Sequence, residues 1–195
     1  MSDSIGVCIL AGGEATRLPG KLSLEVGEIP MLVRVYRNVS PGHETWISTK
    51  GALAPELAAQ IEAPRVVDRW QLRGPLSGLV STMSEMPTTW VFAVAGDAPF
   101  VGAAFIDELA AHIAPDLDAI VPQHEGARKG IEPLAALYRR DTFVRAGLAV
   151  LESGEGMMRL VIDRLRTKFV TPSDPRIFMN VNTPQDYDAL KGALR

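Results

Sequence analysis

A chain of 195 residues with 47% hydrophobic and 22% charged side chains has enough apolar content to bury roughly 70% of its unfolded surface, which excludes intrinsic disorder and any need for staples. Twenty Lys+Arg against 23 Asp+Glu leave a net charge of −3, without the basic excess of a protein that grips nucleic acid by its phosphates. The lone Cys8, the unclustered His43, His112 and His124, and a start, MSDSIGV, without a basic leader or membrane-length apolar run disfavour disulfides, zinc, secretion and membrane insertion. They favour the reducing cytoplasm.

The first element is a strand over Ile5 to Ala11, branched aliphatics that stop at Gly12-Gly13, the pattern of a strand buried on both faces. A helix follows from Pro30, with Met31, Leu32, Val35 and Val39 at helical spacing. Thr45 to Thr49 reads as a strand, Pro55 to Ile61 as a helix and Arg65 to Val67 as a strand that ends on Asp68. Gly74-Pro75 opens a helix carrying Leu76, Leu79, Val80 and Met83, and TTWVFAVAGD, the most hydrophobic strand, ends on Asp97 and belongs at the centre. Ile106 to Ile113 is helical, Asp118 to Pro122 a strand, and Pro133 to Tyr138 extended. Two more helical patterns, a strand over RIFMNVN and a closing helix capped by Thr183-Pro184 complete the chain.

Strands alternating with helices predict an α/β fold of three layers around a mostly parallel sheet, with right-handed crossovers. Ligands of such sheets bind beyond the carboxyl ends of the strands. Ala11-Gly12-Gly13, Asp68 and Gly96-Asp97 all stand at strand ends, so residues remote in sequence share one rim. The segment LAGGEATRLPGK, Leu10 to Lys21, has the makings of a phosphate cradle: glycines bare the backbone N–H groups, and Arg17 and Lys21 add charge. It is neither a Walker A loop nor a G-x-G-x-x-G fingerprint. A surface turn with solvated cations is the alternative.

Strand, L-A-G-G, arginine, lysine and the continuation KLSLEVGEIP resemble the nucleotidyltransferase superfamily. GPLSGL, GDAPF, EPLAALYRR and NVNTPQDY, in that order across nearly the whole chain, resemble the molybdenum cofactor guanylyltransferases. The first loop departs from that family's usual pattern, with one residue fewer between Arg17 and Lys21. The resemblance implies one Rossmann-like nucleotidyltransferase domain over residues 1–195 that moves GMP from GTP to the terminal phosphate of molybdenum-molybdopterin with Mg²⁺. It implies no nucleic-acid or membrane partner, and transient contacts with other cofactor-biosynthesis or molybdoenzyme proteins. Cytidylyl transfer, sugar-1-phosphate nucleotidyl transfer and a catalytically silent binding module are the competing readings.

Carried onto this chain, the resemblance assigns Leu10, Ala11, Gly12, Gly13, Lys21, Asp68, Gly74, Pro75, Leu76 and Asp97 to the nucleotide, and Asn180 and Asn182 to the acceptor. Lys21, Arg17 and Asp97 are the catalytic set, with Asp97 also the metal ligand. The chemistry agrees. Joining an ionised phosphomonoester to an α-phosphate asks for positioning and positive charge rather than a strong base, and Mg²⁺ needs only one or two carboxylates beside substrate phosphates. Asp68 can accept from guanine N1–H and the 2-amino group. Three alternatives stay open: Asp97 as a helix N-cap, Asp68 in a salt bridge to Arg65, Arg69 or Arg73, and the asparagines as turn caps.

Overall fold

The computed structural model describes residues 4–12, 18–70, 74–124 and 130–193. Seven strands, β1 (Ile5–Leu10), β2 (Glu44–Thr49), β3 (Arg65–Val67), β4 (Trp90–Ala95), β5 (Ala119–Pro122), β6 (Ala135–Arg139) and β7 (Thr167–Val170), form one sheet in the order β3-β2-β1-β4-β6-β5-β7. All neighbours are parallel except that β6 runs antiparallel to both β4 and β5. The helices are α1 (Met31–Val39), α2 (Pro55–Ala58), α3 (Leu76–Met83), α4 (Ala103–Ala110), α5 (Arg140–Glu152), α6 (Met158–Ile162) and α7 (Pro184–Ala193).

Side chains alternate across each strand, and both faces are apolar and covered. Val7, Ile9, Phe92 and Val94 pack with Leu32 and Val35 of α1 and Ile106 and Leu109 of α4. Cys8, Val91, Ala93 and Tyr138 pack with Leu76 and Leu79 of α3, Phe143 and Val150 of α5 and Val161 of α6. This is the three-layer, mostly parallel architecture that the alternating pattern predicts. Burial pushes the Cys8 thiol up to about 12, which makes it a core group with no thiolate chemistry near neutral pH. No helix of the described residues is long and apolar enough to cross a membrane.

The expected last strand is corrected. RIFMNVN is not a strand. Pro175–Phe178 forms a 3₁₀ turn, and the Asp174 carboxylate accepts from Arg176 N at its start. Val181 then packs with Val26, Met31 and Leu190 instead of joining the sheet. A proline and a local Asx bond outcompete the strand pattern there. The last strand is β7, where Lys168 and Phe169 are exposed, so its four residues carry little hydrophobic signal.

Asp118, at the entry to β5, ties that strand to β7. Arg166 donates from Nε to Oδ2 at 2.7 Å and from Nη2 to Oδ1 at 3.0 Å. These bonds hold the Asp118 carboxyl down at about 2. A carboxyl whose folded pKa is depressed stabilises the fold above its unfolded value near 4 and loses that contribution as pH falls through the folded value. Asp118→Asn is therefore expected to be less stable than the parent at pH 7, with the gap in urea midpoints closing between about pH 4 and pH 2. A gap of the same size at both ends would show that the ion pair contributes nothing.

Candidate active site

Strand order reverses between β1 and β4, because β2 and β3 continue the sheet on one side of β1 and β4 and β6 on the other. Open sheets of this kind leave a crevice there. Leu10 closes β1 opposite Ser48 of β2 and Ala95 of β4, and these three residues line a cavity of about 510 Å³. Gly12, Lys21, Lys50, Asp68, Gly74, Pro75, Gly78, Gly96, Asp97 and Leu134 also line it. Gly96 has no room for a side chain: a Cβ there would stand 2.9 Å from Leu32 Cδ1 and 3.0 Å from the Leu10 carbonyl oxygen. That close approach draws the end of β4 against the end of β1, where Gly96 N donates to Leu10 O at 3.0 Å.

Lys21 follows Gly20, whose φ of 70° is left-handed, and opens a 3₁₀ turn over Lys21–Ser23. Its ammonium donates to Asp97 Oδ2 and, at 3.1 Å, to Asn182 Oδ1. The segment that carries Asn182 is held to the same place by the backbone, with Val181 N donating to Asp97 O at 3.1 Å. Asp97 is 8% exposed. It does not cap the following helix, because α4 begins behind Gly102.

Asp68 emerges from β3, and its N–H donates to Thr49 O at 2.8 Å. Its Oδ1 accepts from Trp70 N at 3.0 Å and its Oδ2 from Ser77 Oγ at 2.5 Å. The nearby cations are engaged elsewhere: Arg65 donates to the carbonyls of Ala58 and Ile61, and Arg69 pairs with Glu85. Among the described residues, then, Asp68 is no salt-bridge partner. Arg73 lies outside them, as do Gly13 and Arg17.

Neither asparagine lines the cavity; Asn182 reaches it through Lys21, and Asn180 precedes Val181, whose N–H donates to Asp97 O. Neither side chain caps α7. Thr183 Oγ1 accepts from Asp186 N at 3.2 Å, and Asp186 Oδ2 accepts from the N–H groups of Asn182 and Thr183 at 2.9 and 2.8 Å, a reciprocal cap that leaves both amides for other partners. Those bonds, the one from Asn182 N first, hold the Asp186 carboxyl below its usual range. Leu76 is fully buried with Leu79, Val80 and Met83 against the sheet, so in its segment the cavity wall comes from Gly74, Pro75 and Gly78. Ala11 continues the β1–β2 ladder, donating from N to Ser48 O at 2.8 Å.

Sequence reasoning missed Ser48, Thr49 and Lys50 at the end of β2, together with Gly78 and Leu134. The β2 residues stand at a strand end beside the reversal, so the rule that points to Asp68 and Asp97 also points to them. Glu132 stands two residues before Leu134, and burial raises its carboxyl above the ordinary range. Two lysines and two carboxylates thus share one cavity, a charge set suited to binding a polyphosphate and a hydrogen-bonding base.

The MobA-like NTP transferase domain family matches residues 7–169. A molybdenum cofactor guanylyltransferase of Vibrio cholerae is 30% identical over 190 residues, 95% of this chain and 90% of that one. Among solved structures, the molybdopterin-guanine dinucleotide biosynthesis protein A of Archaeoglobus fulgidus superposes with a TM-score of 0.80 at 21% identity, covering 97% of this chain and 98% of the other. A 2-C-methyl-D-erythritol 4-phosphate cytidylyltransferase of Thermus thermophilus reaches 0.73 at 16%, covering 97% and 98%. At these identities the two structures speak for the fold alone.

Proposed function

Because this chain belongs to the MobA-like NTP transferase domain family, among the molybdenum cofactor guanylyltransferases, we propose that it transfers GMP from GTP to the terminal phosphate of molybdenum-molybdopterin, releasing pyrophosphate. The carrying observation is the Lys21 ammonium, which joins Asp97 at the cavity to Asn182 on the neighbouring segment. In this reading one cation spans the border between a nucleotide wall and an acceptor wall.

In the transfer, an oxygen of the acceptor phosphate forms a bond to the α-phosphorus of GTP, and the bond from that phosphorus to the bridging oxygen of the β-phosphate breaks. The electron pair leaves with pyrophosphate. The attacking oxygen is already ionised near neutral pH, so no side chain has to remove a proton. Lys21 offsets charge on the phosphates, and the Gly12 backbone at the end of β1 lets them approach the sheet. Asp68 accepts from guanine N1–H and the 2-amino group. Asn182, with Asn180 two residues away, holds the acceptor phosphate.

Mg²⁺ fits these residues. Asp97 offers hard carboxylate oxygens at the cavity, with Lys21 on Oδ2 and Oδ1 left for a ligand. An Mg²⁺ ion there would take its remaining ligands from substrate oxygens and water. Bound there, Mg²⁺ would neutralise phosphate charge.

A ligand that binds only the native state raises its stability by mass action, about 2.7 kcal/mol at a hundred times Kd. In Mg²⁺, GTP is expected to raise the melting midpoint by several degrees, and CTP and ATP to raise it far less. Equal shifts for all three would remove the guanine assignment.

A further inference from the structure

Ser77 is 1% exposed, lies in the first turn of α3 and does not line the cavity. A serine hydroxyl in a helix can bond back to nearby backbone. Here Oγ instead donates across to Asp68 Oδ2 at 2.5 Å, while Trp70 N donates to Oδ1 at 3.0 Å. Among the described residues each carboxylate oxygen is thus anchored once, which fixes the plane of the group. A carboxylate oxygen has a second acceptor site, so the pair remains able to accept two further, parallel hydrogen bonds.

We propose that Ser77 is a positioning residue for base selection, one that orients the Asp68 carboxylate so that both oxygens are presented together to a base edge with two adjacent donors. The inference rests on the guanine-reading role of Asp68 given above. Guanine offers N1–H and the 2-amino group side by side. Hypoxanthine keeps N1–H and lacks the amino group, so it uses only half of an oriented carboxylate. With Ser77 in place the carboxylate is held before the base arrives, and less rotational freedom is lost on binding. Without the hydroxyl, the carboxylate turns on its own bond and the advantage of the second donor shrinks.

The test is calorimetric titration of GTP and inosine triphosphate, in Mg²⁺, into the parent, Ser77→Ala, Asp68→Ala and the double variant, with a melting midpoint for each. The parent is expected to prefer GTP. Ser77→Ala is expected to weaken GTP by about tenfold, the scale of one charge-assisted hydrogen bond, to weaken inosine triphosphate less, and so to compress the ratio. In the Asp68→Ala background, Ser77→Ala is expected to add nothing, because its effect runs through the carboxylate. Ser77→Ala with unchanged GTP affinity, while Asp68→Ala loses it, overturns the positioning role and leaves the guanine reading intact. Equal weakening of both nucleotides with a lowered midpoint, or losses that add in the double variant, makes Ser77 a support of α3 and also overturns the role. An Asp68→Ala protein that binds GTP like the parent, or a parent indifferent to the amino group, overturns the guanine reading and the positioning role together.

Discussion

Asp97→Ala is expected to lose guanylyl transfer by about a hundredfold to a thousandfold, the scale set by removing one preorganised charge-stabilising group from a reaction centre. The fold should survive, because Asp97 sits beyond the end of β4 and contributes no apolar surface to either core cluster. Its backbone oxygen, which accepts from Val181 N, is retained in the variant. Two measurements check this. Pyrophosphate release gives the loss of turnover, and titration of GTP with and without Mg²⁺ shows whether the ion still tightens nucleotide binding. In the parent the ion is expected to strengthen GTP binding, and in the variant that gain should vanish. A folded variant with near-parental turnover and an intact response to Mg²⁺ would overturn the proposed metal role of Asp97.

Lys21→Ala is expected to be of similar size and different in kind. The ammonium contacts Asp97 and Asn182 at once, so its removal takes away a phosphate-neutralising charge and leaves a largely shielded carboxylate without its cation. Turnover should fall by about two to three orders of magnitude. GTP affinity should fall as well, because Lys21 lines the cavity proposed to take the nucleotide, whereas Asp97→Ala is expected to act on that affinity through the ion. Adding Asp97→Ala to Lys21→Ala should cost much less than the sum of the single losses, since the two side chains act as one unit. Fully additive losses would mean that the ion pair is not the working element of the site.

The legible part of this molecule is the part governed by periodicity and by strand ends. The apolar run at β4 marks the central strand and that at β1 its neighbour, and the residues where runs stop, Gly12, Asp68 and Asp97, stand together at the cavity as the geometry of parallel sheets requires. Thr183-Pro184 marks the start of α7 because its capping chemistry is local. What escaped depends on tertiary partners. The antiparallel course of β6 is set by its neighbours β4 and β5, and its own five residues do not encode a direction. The segment over Arg176 to Asn182 alternates like a strand, yet Pro175 and the Asp174 to Arg176 bond turn it. Ser77 has no sequence signal at all, since its hydroxyl finds Asp68 only once α3 lies beside the end of β3.

The proposed transfer, with GTP bound in the cavity at the ends of β1 and β4 and its guanylyl group passed to molybdenum-molybdopterin, can be read from products: the purified protein is incubated with molybdenum-molybdopterin, Mg²⁺ and either GTP or CTP, and the dinucleotides are quantified by mass spectrometry beside released pyrophosphate. The expected result is a guanine dinucleotide of molybdopterin and pyrophosphate in equal amounts from GTP, with little of either from CTP. A cytosine dinucleotide formed as readily, or no dinucleotide from GTP by a protein that is folded and binds it, would overturn the proposed guanylyl transfer.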